Sequence, residues 1–191
     1  MSDTVSIRDI LDFWFLPLGH PDHGKPRDIW WQSATLLDDE IKVRFGTLVE
    51  LAVAGELDHW RKSPDGALAL TLLCDQFTRH IWRKTARAFS GDARARGTAR
   101  LAIARGYPLV YPTDMRLFFY MPFQHSEDLA DQEFCCALFT SAGNDDYVKY
   151  AVEHRDLVAR FGRFPHRNDV LGRPCTPEEL DYLKTAKRFG Q

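Results

Sequence analysis

Four short stretches carry polar side chains where a folded chain ordinarily spends apolar ones, and their residue types are those of acid–base and anion chemistry. In "LTLLCDQFTRH", Leu68, Leu72, Asp75 and Arg79 follow at spacings of four, three and four. An apolar helical stripe thus runs into a carboxylate and a guanidinium one turn apart, with Gln76 beside them. Side chains so spaced meet on a helix, and burying either charge alone is costly. Tyr147, Ala151, His154, Val158 and Phe161 form a second stripe, which puts His154 on the face that meets the core and Arg155 next to it. In "PFQHSED", His125 stands directly before Ser126, Glu127 and Asp128. The turn "RFGRFPHRN", residues 160–168, crowds Arg163, His166, Arg167 and Asn168 around a glycine and a proline.

Two kinds of chemistry fit these groups. A histidine backed by Asp75 or Glu127 can act as a general acid or base while arginines meet developing negative charge. Alternatively, Arg167, His166, His154 and His125 can surround a bound anion or polar small molecule. Each group also has a structural reading, and for the turn that reading leads: Arg167 pairs with Asp75 or with Glu127 and Asp128, latching distant helices together. Asp75 and Arg79 then form an ion pair, and His154 is a core hydrogen-bonder. Ser126 caps a helix whose positive end favours Glu127 and Asp128, which leaves His125 unexplained. Arg160 and Arg163 complement the negative end of the preceding helix.

The elements that must position these residues are marked mainly by their caps. Ser6 opens a helix that stops at Pro17, and a second runs from about Thr35 to Gly55. Ser63 with Pro64 opens "SPDGALALTLLCDQFTRHIW", a favoured start. Asp92 caps a helix ending at Gly106, and Thr113 caps an aromatic one that Pro122 terminates or kinks. Ser126 and Asn144 cap the next two, closed by Gly143 and Gly162. Thr176, Pro177 and Glu179 make a capping box. No run alternates with period two. The expectation is one all-α domain over residues 1–191, with about eight helices in a stack or bundle.

Common catalytic signatures are missing. There is no GxxxxGK followed by Ser or Thr, no GxGxxG, no GxSxG and no HExxH, so phosphate-loop, dinucleotide, hydrolase-elbow and zincin chemistry lack support. No metal-ligand spacing stands out, and neither metal nor cofactor is expected. Cys135 and Cys136 read as core packing. Cys175, one residue before the Thr176 cap, reads as a hydrophobic staple with Leu180.

The 191 residues are 45% apolar and 13% aromatic, the composition of a globular protein. The four cysteines lack CxxC spacing, the start lacks a secretory pattern, and no apolar run approaches the roughly 20 residues of a membrane span. A cytoplasmic protein without membrane contact is expected. Net charge is −2, yet residues 79–105 hold eight bases against the single acid Asp92. Such a block can be a nucleic-acid face; its neutralisation by neighbouring acidic helices is the stronger expectation.

The stretches "DQFTRHIWRKTARAF", "PFQHSEDLADQE" and "HRDLVARFGRFPHRNDVLGRPCTPEEL", in that order, resemble the mainly bacterial domain-of-unknown-function family 924 from about residue 9 to the C-terminus. The resemblance implies an all-helical fold similar to tetratricopeptide-repeat proteins and supplies no activity. The family pattern reads closer to DQFPRN where Thr78 and His80 stand here, and often carries Glu at the position of Gln124. The leading functional expectation is a binding module for a peptide or a small polar or anionic ligand. A small-molecule enzyme with a histidine acid/base comes second, and nucleic-acid binding through residues 79–105 third.

Overall fold

The computed structural model describes residues 5–31 and 35–186. Among them the chain is helical, with no strand. Helix α1 (Ile7–Phe15) begins with a reciprocal capping box, in which Ser6 accepts from the Asp9 N–H and Asp9 accepts the Ser6 N–H. Helix α2 (Thr35–Ala54) buries Ile41, Phe45, Val49 and Ala52 along one stripe. The central element starts as α3 (Pro64–Leu72), capped by Ser63, and every residue from Gly66 to Leu72 is buried. A helix apolar all round belongs inside a core. It then widens into a π-helical turn (Leu73–Phe77) and resumes as α4 (Thr78–Ile81).

Helix α5 (Asp92–Ala104) lies against α3 through Ala95, Thr98, Ala99 and Ala102, side chains small enough for close approach. Gly91 makes the nearest passage: a Cβ there would stand 2.2 Å from the Cys74 carbonyl oxygen. Only glycine fits, and this fit brings Asp92 beside the π turn. Helices α6 (Thr113–Gln124), α7 (Leu129–Ala142) and α8 (Asp145–Phe161) pack in succession, α6 on α7 and α7 on α8. Left-handed glycines close the last two, Gly143 at φ +74° and Gly162 at φ +68°. Helix α9 (Pro177–Leu183) carries the expected capping box.

Several starts differ from expectation, each for a local electrostatic or steric reason. Asp92 is the first residue of α5 rather than its cap, because its carboxylate is turned to Arg79. Ser126 does not cap α7: its hydroxyl donates to Asp131, and Asp128 is the cap, accepting from the Ala130 N–H. Thr113 opens α6 directly after Pro112. Pro122 neither ends nor interrupts α6, which continues to Gln124 with His125 as its C-cap. Leu180 is largely exposed, so the proposed staple to Cys175 is not made that way.

The core is dominated by aromatic rings. Trp14 meets Phe77 at 5.3 Å, and Phe118 meets both Phe15 and Trp30, at 5.2 and 5.0 Å, all edge-on. Edge-to-face pairs add about 0.5–1.5 kcal/mol each beyond area burial. This framework fixes α1, the π turn and α6 relative to one another.

Candidate functional site

A cavity of about 490 Å³ opens between the π turn, α6, α8 and the short 165–167 turn. Its body is apolar, formed by Leu117 and Met121 of α6, Phe139 of α7 and the rings of Trp30, Tyr147 and Tyr150. Trp31 and Tyr150 are about half exposed, at 52% and 53%, and stand at the rim. Its polar groups are Gln76, Gln124, three arginines (Arg79, Arg83, Arg167) and four histidines (His80, His125, His154, His166). No carboxylate and no serine, threonine or cysteine lies on this wall among the described residues.

The acids stand behind the wall. Asp75, only 1% exposed, sits in the π turn, where a widened ring of backbone leaves room for a buried polar group; such turns recur at functional sites. Its Oδ1 lies 2.8 Å from His125 Nδ1 and 3.3 Å from Arg79 Nη1, and the Gln76 amide donates to Oδ2 at 2.6 Å. Burial raises the Asp75 carboxyl, but His125, Arg79 and Gln76 more than reverse this and hold it at about 2. Arg79 also grips Asp92 through two bonds of 2.8 and 3.1 Å. A carboxylate can only accept, so His125 Nδ1 carries the hydrogen and its lone pair is on Nε2. Burial lowers the His125 pKa, which keeps that ring neutral.

The other three imidazoles are also neutral. His80 Nδ1 is 2.6 Å from Asp38, which Arg83 holds from the other side at 2.8 and 2.9 Å. His154 Nδ1 lies 2.7 Å from the Tyr150 carbonyl, which fixes the same tautomer. Burial takes His154 down to about 3 and, with the Arg167 cation, His166 down to about 4.

Of the three arginines on the cavity wall, Arg167 is the least served by acids among the described residues. It donates to the His125 carbonyl at 3.0 Å and stands 3.9 Å from Asp92, already claimed by Arg79. Phe164 and Phe89 cover its faces at 4.4 and 4.7 Å, and Nε is buried without a hydrogen-bond partner. Burial and the neighbouring Arg79 bring its pKa down to about 10. Arg167 and His125 also border a second, shallower cleft with Asp92, Arg96, Glu127 and Asp128.

The structure therefore brings Gln76, Arg79, His125, His154, His166 and Arg167 together around one cavity, with Asp75 directly behind. The remaining candidates lie elsewhere. Arg155 pairs with its neighbour Asp156 at the surface. Arg163 takes Glu179, and Asn168 bonds Cys175 and Glu179. Glu127 accepts from Arg173 and from the Phe164 N–H, so Arg173, not Arg167, makes the latch across the turn. Asp128 serves as the α7 cap. Sequence reasoning left out His80, Arg83 and the rim aromatics as site residues. The repeated base spacing Arg79, His80, Arg83 was the available signal for the first two.

The basic block of residues 79–105 is largely neutralised within the fold. Arg83 meets Asp38, Arg87 meets Glu50, Arg94 meets Asp58, and Arg96 and Arg100 share Asp131. Among the described residues, no group of three His, Cys, Asp or Glu side chains is placed to hold a metal ion, and no helix is long and apolar enough to cross a membrane.

The family model described as "Bacterial protein of unknown function (DUF924)" matches residues 10–187. The chain belongs to this family. The chain is also similar to a solved structure of a protein of unknown function from Agrobacterium tumefaciens, at 42% identity and a TM-score of 0.85; the match covers 94% of this chain and 97% of that one. No curated protein matches the chain.

Proposed function

We propose that this DUF924 chain binds a small organic anion with an apolar body in the 490 Å³ cavity. The observation that carries the reading is the composition of the wall: guanidinium and imidazole groups together with aromatic rings, and every acid set behind. Pockets of roughly 300–1,000 Å³ with apolar walls and a few convergent polar groups suit small molecules. A cavity of this volume, with its polar groups converging, favours such a ligand over a peptide laid along a groove. A tetratricopeptide-like helical stack would supply the concave frame, and the four unpaired cysteines accord with a reducing cytoplasm. Nucleic acid ranks lower, because the basic block is spent on internal ion pairs.

Calorimetric titration with a series of aryl and alkyl carboxylates and phosphate monoesters tests the reading. Aryl anions are expected to bind, and their neutral amides or alcohols to bind at least tenfold more weakly. Equal affinity for anion and neutral analogue, or no binding across the series, would sink it.

A further inference from the structure

The anion reading accounts for the arginines but not for how His125 is held. A histidine that merely lined a binding pocket would need no fully buried carboxylate on its Nδ1, and burying such a carboxylate costs several kcal/mol before its partners offset it. Here Asp75 is fixed by three donors, one of them the His125 ring. That arrangement sets the tautomer, fixes the plane of the imidazole and leaves Nε2 as an oriented base on a ring that lines the cavity. None of the His125 hydrogen bonds among the described residues engages Nε2. Carboxylate, imidazole and a reacting proton in sequence are the parts of general-base catalysis; Arg79 shares Asp75 with the ring, and Arg167 donates to the His125 carbonyl.

We propose, resting on the anion-binding reading, that the cavity is the site of a carbon-acid proton transfer in which His125 is the general base, Asp75 its positioning residue and Arg167 the group that meets the charge formed. The substrate class is an organic compound with an apolar body and a C–H bond next to a carbonyl or comparable electron sink. The His125 Nε2 lone pair forms the new N–H bond as the substrate C–H bond breaks. The released electron pair moves onto the sink oxygen, which becomes an anion beside the Arg167 guanidinium. In a substrate that carries a double bond β,γ to the carbonyl, the oxyanion's electron pair re-forms the carbonyl and the double bond moves into conjugation. The γ carbon takes the proton from Nε2; this yields an isomer and restores the neutral imidazole, so the cycle consumes no co-reactant. The described residues of the cavity wall include no serine, threonine, cysteine or lysine, so the commonest nucleophiles of covalent catalysis are not among them.

A test that needs no knowledge of the natural substrate uses 5-nitrobenzisoxazole, an aromatic carbon acid that fits an apolar, ring-lined cavity. One base takes its ring C–H proton, the C–H electrons complete a nitrile, the N–O bond breaks, and a coloured cyanonitrophenolate is released. The wild-type protein is expected to accelerate this opening saturably above an equal concentration of free imidazole. General-base catalysis is typically worth about 10²–10⁴-fold, and His125→Asn should lose an acceleration of that order. Asparagine keeps an N–H for Asp75 while removing Nε2, and circular dichroism and thermal melting verify the fold. Should that variant not fold, carbethoxylation of the wild type, mapped by peptide mass, should abolish the rate in step with modification of His125. Asp75→Asn should lower kcat more than it raises KM. A wild-type rate no better than free imidazole, or one retained by folded His125→Asn, overturns the proposal. The product phenolate is itself an aryl anion, so its binding is titrated separately. Phenolate bound without acceleration defeats the general base alone, whereas neither binding nor acceleration defeats both readings.

Discussion

Replacing Arg167 by methionine separates a latch from a ligand seat. On folding, burial and the neighbouring Arg79 bring the pKa of this guanidinium down from the ordinary arginine range to about 10, so its cationic form is disfavoured by about 3 kcal/mol. That figure already includes the attraction of Asp92 and Glu127, which do not recover the cost of burial. Methionine keeps a flexible apolar stem against Phe164 and Phe89, with sulfur–ring contacts worth roughly 0.3–1.5 kcal/mol. It gives up the hydrogen bond to the His125 carbonyl, roughly 1.5–3 kcal/mol for a charged donor, and the two cation–π contacts with those rings, about 0.5–1 kcal/mol each. These terms nearly cancel. The expected outcome is a urea-unfolding stability within about 1 kcal/mol of wild type, with the m-value unchanged. Anion affinity, read by calorimetry, should instead fall by about 1.5–3 kcal/mol, roughly 10- to 150-fold. A destabilisation above about 3 kcal/mol would show that Arg167 is a structural tie. An unchanged Kd would place the anion elsewhere.

The acid limb of stability should begin well above the carboxylate range. His154 drops from 6.5 to about 3 on folding, so the unfolded chain binds this proton first and stability falls as pH goes from about 6.5 toward 3; urea midpoints across that window check it, and His154→Gln should flatten the slope. Asp75, held at about 2, has the same sign lower down, contributing stability above about 3.8 that is lost as pH falls toward 2. Gly91→Ala should destabilise by more than about 2 kcal/mol, since its Cβ would overlap the Cys74 carbonyl and overpacking of this kind typically costs 1–3 kcal/mol; thermal melting measures it. Thr176→Ala removes one arm of the α9 capping box and should cost about 1 kcal/mol, seen as early loss of helix in hydrogen exchange at residues 177–183.

Helix boundaries were legible where a cap acts on its own backbone. Ser6, Ser63, Asn144 and Thr176 each bond the first turn of the helix they announce. They were misread where the same residue type has a competing charged partner. Asp92 is drawn off by Arg79 from another helix, and Ser126 by Asp131 in the first turn of α7 itself; a capping pattern alone does not rank such a partner above the backbone. The site was half legible for a related reason. Asp75, Arg79 and His154 stand out because they break an apolar stripe, and that signal needs only a helix. The choice of Arg173 rather than Arg167 for Glu127 depends on where the chain goes after Pro165. The aromatic side of the cavity is invisible in a sequence of this composition, because Trp30 and Tyr147 look like any other core residues until α8 is laid beside the 28–30 turn.

The π turn at Leu73–Phe77 lets the rod carry one residue more than its direction requires. The wider ring rotates less per residue than an α-helix, so the added residue is absorbed within the turn and the helix resumes on its former bearing. Deleting a single residue from this turn would restore an unbroken α-helix, which is the more regular structure, with Arg79, His80 and Arg83 facing much as they do now. What would be lost is the seat itself, the bulge that holds the buried Asp75 beneath His125. The extra residue is therefore dispensable both for making a helix and for aiming it. A one-residue deletion here separates the scaffold from the site it carries.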